Sequence, residues 1–175
     1  MSLKILVATD GSPAAVRATA VAADIAKVRD GELVILSVRE DKPLPESVRR
    51  MAETEHLVDP VPAPPARNIA NVPTWMADGV RAAAVAEENL DIRQALARAA
   101  VVNARESLRQ AGIERLRTLI EDGVAAEQIL AVAEREKADM IVMGSRGLGA
   151  VKSLFQGSVT RDVAGSASCT CITVS

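Results

Sequence analysis

Short, nearly continuous aliphatic runs alternate along the chain with longer stretches whose apolar residues recur every three or four positions. The runs are Leu3–Ala8, Leu33–Val38, Met140–Met143 and Cys171–Val174. None alternates between apolar and polar, as expected of parallel strands covered by helices on both faces. A further strand over Ile113–Ile120 carries Arg115 and Arg117 on one face. That predicts an edge position with one face partly wet.

The stretches between the runs read as helices. Ser12 can cap a helix whose first turn holds Pro13, where the missing N–H would be unpaired in any case. Ala14, Ala18, Val21, Ile25 and Val28 predict its buried stripe. Leu90, Ala97, Val101, Ala104, Leu108 and Ala111 predict a second stripe, ended by Gly112, and Ala125, Ile129, Val132 and Ala133 a third. Ser158 to about Gly165 predicts one short final helix. Strand and helix in strict alternation mean an α/β fold on a parallel sheet.

One stretch breaks the rhythm. Seven of the eight prolines fall between Pro43 and Pro73, which predicts neither helix nor central strand there. Residues 41–80 read as an insertion, either a flexible surface excursion or a lid or docking element with Trp75 and Met76 at its end. His56 lies in it without a cysteine or second histidine nearby and reads as solvated.

Composition narrows the function. A chain of 175 residues, 49% apolar, makes a single domain spanning 1–175. Its 21 basic and 23 acidic residues, net charge -2, argue against a nucleic-acid partner, which needs a basic surface to release counterions. Trp75 and Phe155 are the sole aromatic residues, which removes base-stacking platforms as well. No apolar run approaches the roughly 18 residues of a membrane span. The first run is too short for a signal-peptide core, and two cysteines make no disulfide framework. The expectation is a soluble, reduced, cytoplasmic protein with no membrane contact.

The stretch from Gly144 to Ser158 carries the candidate chemistry. It starts where the Met140–Met143 run ends and finishes where the last helix begins. Binding a phosphate through backbone N–H groups favours residues without Cβ, free to take positive φ and to approach the ligand. Gly144 and Gly147 would supply one half of such a cradle, and Gly157 with Ser158, at a helix mouth, the other. Arg146 and Lys152 are candidate charge partners. The spacing is neither a P-loop nor the dinucleotide fingerprint. Glycines that merely shape a loop remain the alternative.

Gly144-x2-Gly147-x9-Gly157-Ser158, after the strand Asp139–Met143, resembles the ATP-binding signature of the universal stress protein family. Ile5–Ser12 resembles the same family's first strand and acidic turn, and the resemblance covers residues 3–40 and about 105–174. It implies a five-stranded parallel sheet in the order 3-2-1-4-5, which puts a topological switch between the first and fourth strands, where open α/β sheets bind ligands. It further implies that Ala8, Thr9 and Asp10 border a nucleoside, the Asp10 carboxylate accepting hydrogen bonds from it. Val38 would offer backbone groups to the adenine edge. Gly144, Arg146, Gly147, Gly157, Ser158, Val159 and Thr160 would surround the ribose and phosphates of ATP or a related adenine nucleotide. Mg2+ could bridge those phosphates. For Asp10 the other reading is an Asx-turn ahead of the Ser12 cap.

The chain departs from the family pattern where Thr170, not proline, follows Cys169. Cys169 and Cys171, on one face of a strand about 7 Å apart, read as small hydrophobes, too far apart for easy pairing. The apolar Cys171–Val174 strand at a sheet edge invites pairing with a second copy, and the resemblance implies such a homodimer. The function expected is a regulatory nucleotide binder. No activated nucleophile or base stands in the cradle segment, so hydrolysis should be slow. A nucleotide-independent dimeric interaction module is the alternative. An adenylating enzyme finds no catalytic motif in residues 41–80.

Overall fold

The computed structural model describes residues 2–41, 46–54, 74–147 and 158–175. Along the chain come β1 (Lys4–Ala8), α1 (Pro13–Arg29), β2 (Glu32–Arg39), α2 (Glu46–Thr54) and α3 (Thr74–Gln110). There follow β3 (Leu116–Asp122), α4 (Ala125–Glu136), β4 (Met140–Gly144), α5 (Ser158–Ser166) and β5 (Thr170–Val174). The strands form one sheet in the order β3-β2-β1-β4-β5, every neighbouring pair parallel. This is the order the resemblance implied.

Successive strand residues face opposite sides of the sheet, and each side has its own apolar layer. Ile5, Val7, Leu33, Ile35 and Val142 pack with Ala18, Ala22 and Ala26 of α1 and Val101, Ala104 and Leu108 of α3. Leu6, Ala8, Val34, Leu36, Ile141 and Met143 pack with Ile129, Val132 and Ala133 of α4 and Val163 of α5. Two covered faces explain why the strand sequences do not alternate.

Four sequence expectations need correction. The buried face of α1 is Ala14, Ala15, Ala18, Thr19, Ala22, Ala23 and Ala26, while Val28 is 84% exposed. Methyl-sized side chains let this helix lie close to the sheet, while Ile25 packs at the margin of the core and Val16 and Val28 turn outward. In α3, Leu90 is exposed and Ile92 is buried instead. The edge strand begins at Leu116, not Ile113. Ile113 is buried ahead of it, held by an N–H donated to the Leu108 carbonyl at 3.0 Å. Arg115 and Arg117 are exposed as expected, Arg117 paired with Glu32 and Glu136.

The Pro-rich stretch was expected to hold no helix, yet α2 lies within it. No proline falls between Pro45 and Pro60, and that gap is long enough for nine helical residues. Trp75 and Met76 belong to the first turn of α3. His56 and the proline run at 60–65 lie outside the described residues.

The capping expectation for α1 holds. Ser12 has extended backbone, and its Oγ accepts from the Ala15 N–H at 3.3 Å. The same hydroxyl donates to the Arg146 carbonyl at 3.1 Å, so it also ties α1 to the loop after β4. Ser12→Ala is expected to cost about 1–2 kcal/mol in urea unfolding, the upper range for a lost cap, because both bonds go together.

Candidate functional site

The site is built where the strands end unevenly. Ala8 of β1 is level with Leu36 of β2, and the Thr9 N–H donates to the Leu36 carbonyl at 2.8 Å. β1 then stops, but β2 runs on to Arg39 beside β3. Backbone groups on a strand alternate sides. Leu33 N–H is bonded to Arg115 on the β3 side and the Leu36 carbonyl faces β1. Val38 therefore turns its N–H and carbonyl toward β1, past the end of that strand.

Beside this open edge the chain leaves β1 through a tight turn. The Asp10 Oδ1 accepts from the Ser12 N–H at 3.0 Å, and the Gly11 N–H donates to Thr9 Oγ1 at 3.2 Å. Gly11 has φ +80°, a conformation that glycine adopts without strain. The Asx-turn reading of Asp10 is thus correct. Its second oxygen points elsewhere: a Cβ placed on Gly147 would lie 2.6 Å from Asp10 Oδ2. Two segments far apart in sequence meet at the β1–β4 switch.

The glycines owe their identity to packing rather than to positive φ. Neither Gly144 nor Gly147 is among the positive-φ glycines. A Cβ on Gly144 would sit 2.7 Å from the Ala15 nitrogen and 2.8 Å from the Ala14 carbonyl carbon. The first turn of α1 crosses directly over the end of β4. Gly144 is small to admit a helix, whereas Gly147 is small to admit a carboxylate.

The remaining candidates divide. Ala8 and Thr9 are buried, Ala8 in the layer under α4 and α5. Arg146 is exposed and enters through its carbonyl, bonded to Ser12. Ser158, Val159 and Thr160 open α5, and the buried Thr160 donates its hydroxyl to the Gly144 carbonyl at 3.2 Å, fastening that helix to β4. Gly157 and Lys152 lie outside the described residues. Sequence reasoning missed two participants. Ser12 read as a cap alone, because its bond to Arg146 is invisible along the chain. Glu40 was overlooked: its Oε1 accepts from the Ala125 N–H at 3.1 Å. Among the described residues no three His, Cys, Asp or Glu side chains gather to hold a metal, and no helix is long and apolar enough to cross a membrane.

The family model described as "Universal stress protein family" matches residues 1–175. The universal stress protein YxiE of Bacillus subtilis is 30% identical over 166 residues, covering 95% of this chain and 94% of that protein. The chain belongs to the universal stress protein family. A family protein of Thermus aquaticus, named for its place 3′ of a QAH/OAS sulfhydrylase, is 47% identical over 78 residues. That match spans 45% of this chain and little more than half, 56%, of that relative. Two solved universal stress proteins share the fold. One, in complex with cAMP, has TM-score 0.62 and 21% identity, covering 99% of this chain and 97% of its own. The other, from Archaeoglobus fulgidus in complex with dAMP, has TM-score 0.54 and 17% identity, covering 100% and 98%.

In this universal stress protein the two cysteines are free and half-buried against the α4–α5 layer. Burial pushes both thiols above the ordinary cysteine range, with the charge of Asp139 adding to the effect at Cys169. A raised pKa leaves little thiolate at neutral pH. The folded protein is therefore expected to react with a thiol reagent more slowly than the urea-unfolded chain. Equal rates would contradict this.

Proposed function

We propose that this universal stress protein is a regulatory binder of an adenine nucleotide, ATP with Mg2+, seated across the β1–β4 switch. The observation that carries the reading is the meeting of the Asp10 carboxylate with Gly147 beside the open backbone of Val38. An adenine edge offers a donor beside an acceptor, and one residue's carbonyl and N–H match that pair. The carboxylate suits ribose hydroxyls or a phosphate-bound cation, since directly facing phosphates it would repel them. Gly147 and the α5 N-terminus at Ser158 are the proposed phosphate side, where helix N–H groups and dipole favour an anion. The complexes of two relatives with cAMP and dAMP support an adenine ligand. With no activated nucleophile among the described groups, the proposed role is binding, and any hydrolysis is slow.

Mass analysis of small molecules released from the purified protein, followed by calorimetric titration with ATP, AMP, cAMP and GTP, tests the reading. Saturable binding of one adenine nucleotide per chain is expected, stronger than for GTP. Absence of binding at millimolar ATP with Mg2+ would leave the alternative, an interaction module that needs no nucleotide.

β5 lies at the sheet edge with Ile172 and Val174 half-buried against the α1–α3 layer. We propose that this edge pairs with the same strand of a second copy about a two-fold axis, which would satisfy its unpaired backbone groups. Light scattering of the full chain should give twice the mass of 18.4 kDa at micromolar concentration. A monomer there would contradict the pairing.

A further inference from the structure

We propose that Glu40 is a positioning residue for the base, clamping the tip of β2 so that the Val38 backbone is held ready for a purine edge. The inference rests on the adenine-nucleotide reading and deepens it.

Three consecutive charged residues follow Val38, and each ties the tip to a different element. Arg39 pairs with Asp122 of β3 at 2.6 Å, and its carbonyl accepts from the Gly123 N–H at 3.0 Å. Glu40 accepts from the Ala125 N–H of α4 at 3.1 Å. Asp41 pairs with Arg93 of α3 at 3.0 Å. The ties differ in strength. Arg39 and Arg93 are mostly covered, but Asp41 is fully exposed and Asp122 largely so, and water at the carboxylates screens both pairs. The Glu40 bond is partly buried and lies at the first turn of α4, where a carboxylate meets unpaired N–H groups and the positive end of the helix.

The local sequence explains why this tie exists. The N-cap of α4 is Val124, with the extended backbone of a cap (φ -75°, ψ 122°) but no side-chain oxygen to offer. Glu40 reaches across from β2 and gives an acceptor to the Ala125 N–H, another of the donors left unpaired in that first turn. One bond therefore caps α4 and anchors β2, and Val38 lies two residues from the anchor. Toward β1 the Val38 backbone has outrun its neighbouring strand, so its placement depends on the β3 side and on this clamp.

A double variant separates the two jobs. Glu40→Ala removes both, and adding Val124→Ser supplies a local cap without retying β2. In Glu40→Ala with Val124→Ser, thermal stability should return to within a degree or two of wild type. ATP should still bind about tenfold more weakly than to wild type, the scale of one hydrogen bond's loosening, with a smaller preference for ATP over GTP. In the ligand-free double variant the Gly123 amide should exchange about tenfold faster while β1 amides keep their rates. Glu40→Gln keeps the acceptor oxygen and should bind ATP as wild type does. Recovery of ATP affinity together with stability, or unchanged Gly123 exchange, overturns the proposal while leaving the nucleotide reading intact. A wild-type protein that binds no adenine nucleotide overturns both.

Discussion

Gly144→Ala is expected to lower stability by about 2–3 kcal/mol, a cost typical of overpacking a tight contact, although only one methyl group is added. The new Cβ would lie 2.7 Å from the Ala15 nitrogen and 2.8 Å from the Ala14 carbonyl carbon. Both are backbone atoms in the first turn of α1, so no flexible side chain can swing aside. Relief requires α1 to rise from the sheet. That motion disturbs the Ser12 cap and its bond to the Arg146 carbonyl, and it loosens the alanine face against Ile5 and Val142. For a chain of this length the loss corresponds to a fall in Tm of roughly 5–10 °C. Calorimetry of the ligand-free protein measures it, and an unchanged Tm would mean that α1 does not cross β4 as described. Gly147→Ala is a useful contrast, because its new methyl group would meet the end of the Asp10 side chain, not backbone.

Asp10→Asn is the second large effect, on ligand affinity rather than stability. The amide oxygen can still accept from the Ser12 N–H, so the turn into α1 survives. Its NH2 group then replaces the oxygen beside Gly147, presenting donors where a ribose hydroxyl or a hydrated cation needs an acceptor. Loss of charge-assisted hydrogen bonds of about 1.5–3 kcal/mol predicts ATP binding weaker by roughly 10- to 100-fold. Tm without ligand should move by less than about 2 °C. Titration calorimetry beside a thermal scan reads both. Equal affinity in the variant would show that the carboxylate serves the turn alone.

The contrast between these two residues shows what was legible along the chain. The parallel sheet and its two covered faces could be read because strand runs and helical periods are local patterns repeated many times, whereas the sheet order followed from the resemblance to the family. Asp10 and Gly144 could be brought to one crevice because that strand order fixes which loops share an end of the sheet, while the approach of Asp10 to Gly147 is seen only in the structure. The reason for Gly144 could not be read, since a glycine that admits a helix looks the same in sequence as one that admits a phosphate. Ala14 and Ala18 were read correctly, but Ala15, Ala22, Ala23 and Ala26 of the same face were missed for a related cause: periodicity weighs Val21, Ile25 and Val28 above alanine, but closeness to the sheet selects the smaller side chain. In α2 the prolines at the flanks hid a nine-residue stretch free of them. Glu40 escaped notice because its partner is Ala125, which carries no sequence signal of being the start of an uncapped helix until Val124 is seen to be its cap.

The most direct test follows backbone amide resonances of the ligand-free protein as ATP and Mg2+ are added. Shifts concentrated at Asp10 and Gly11, at Val38, at Ser145–Gly147 and at Ser158–Thr160 are predicted, saturating at one nucleotide per chain. Saturation with those amides unmoved, and shifts confined to another face of the sheet, would contradict the placement of the ligand at the β1–β4 switch.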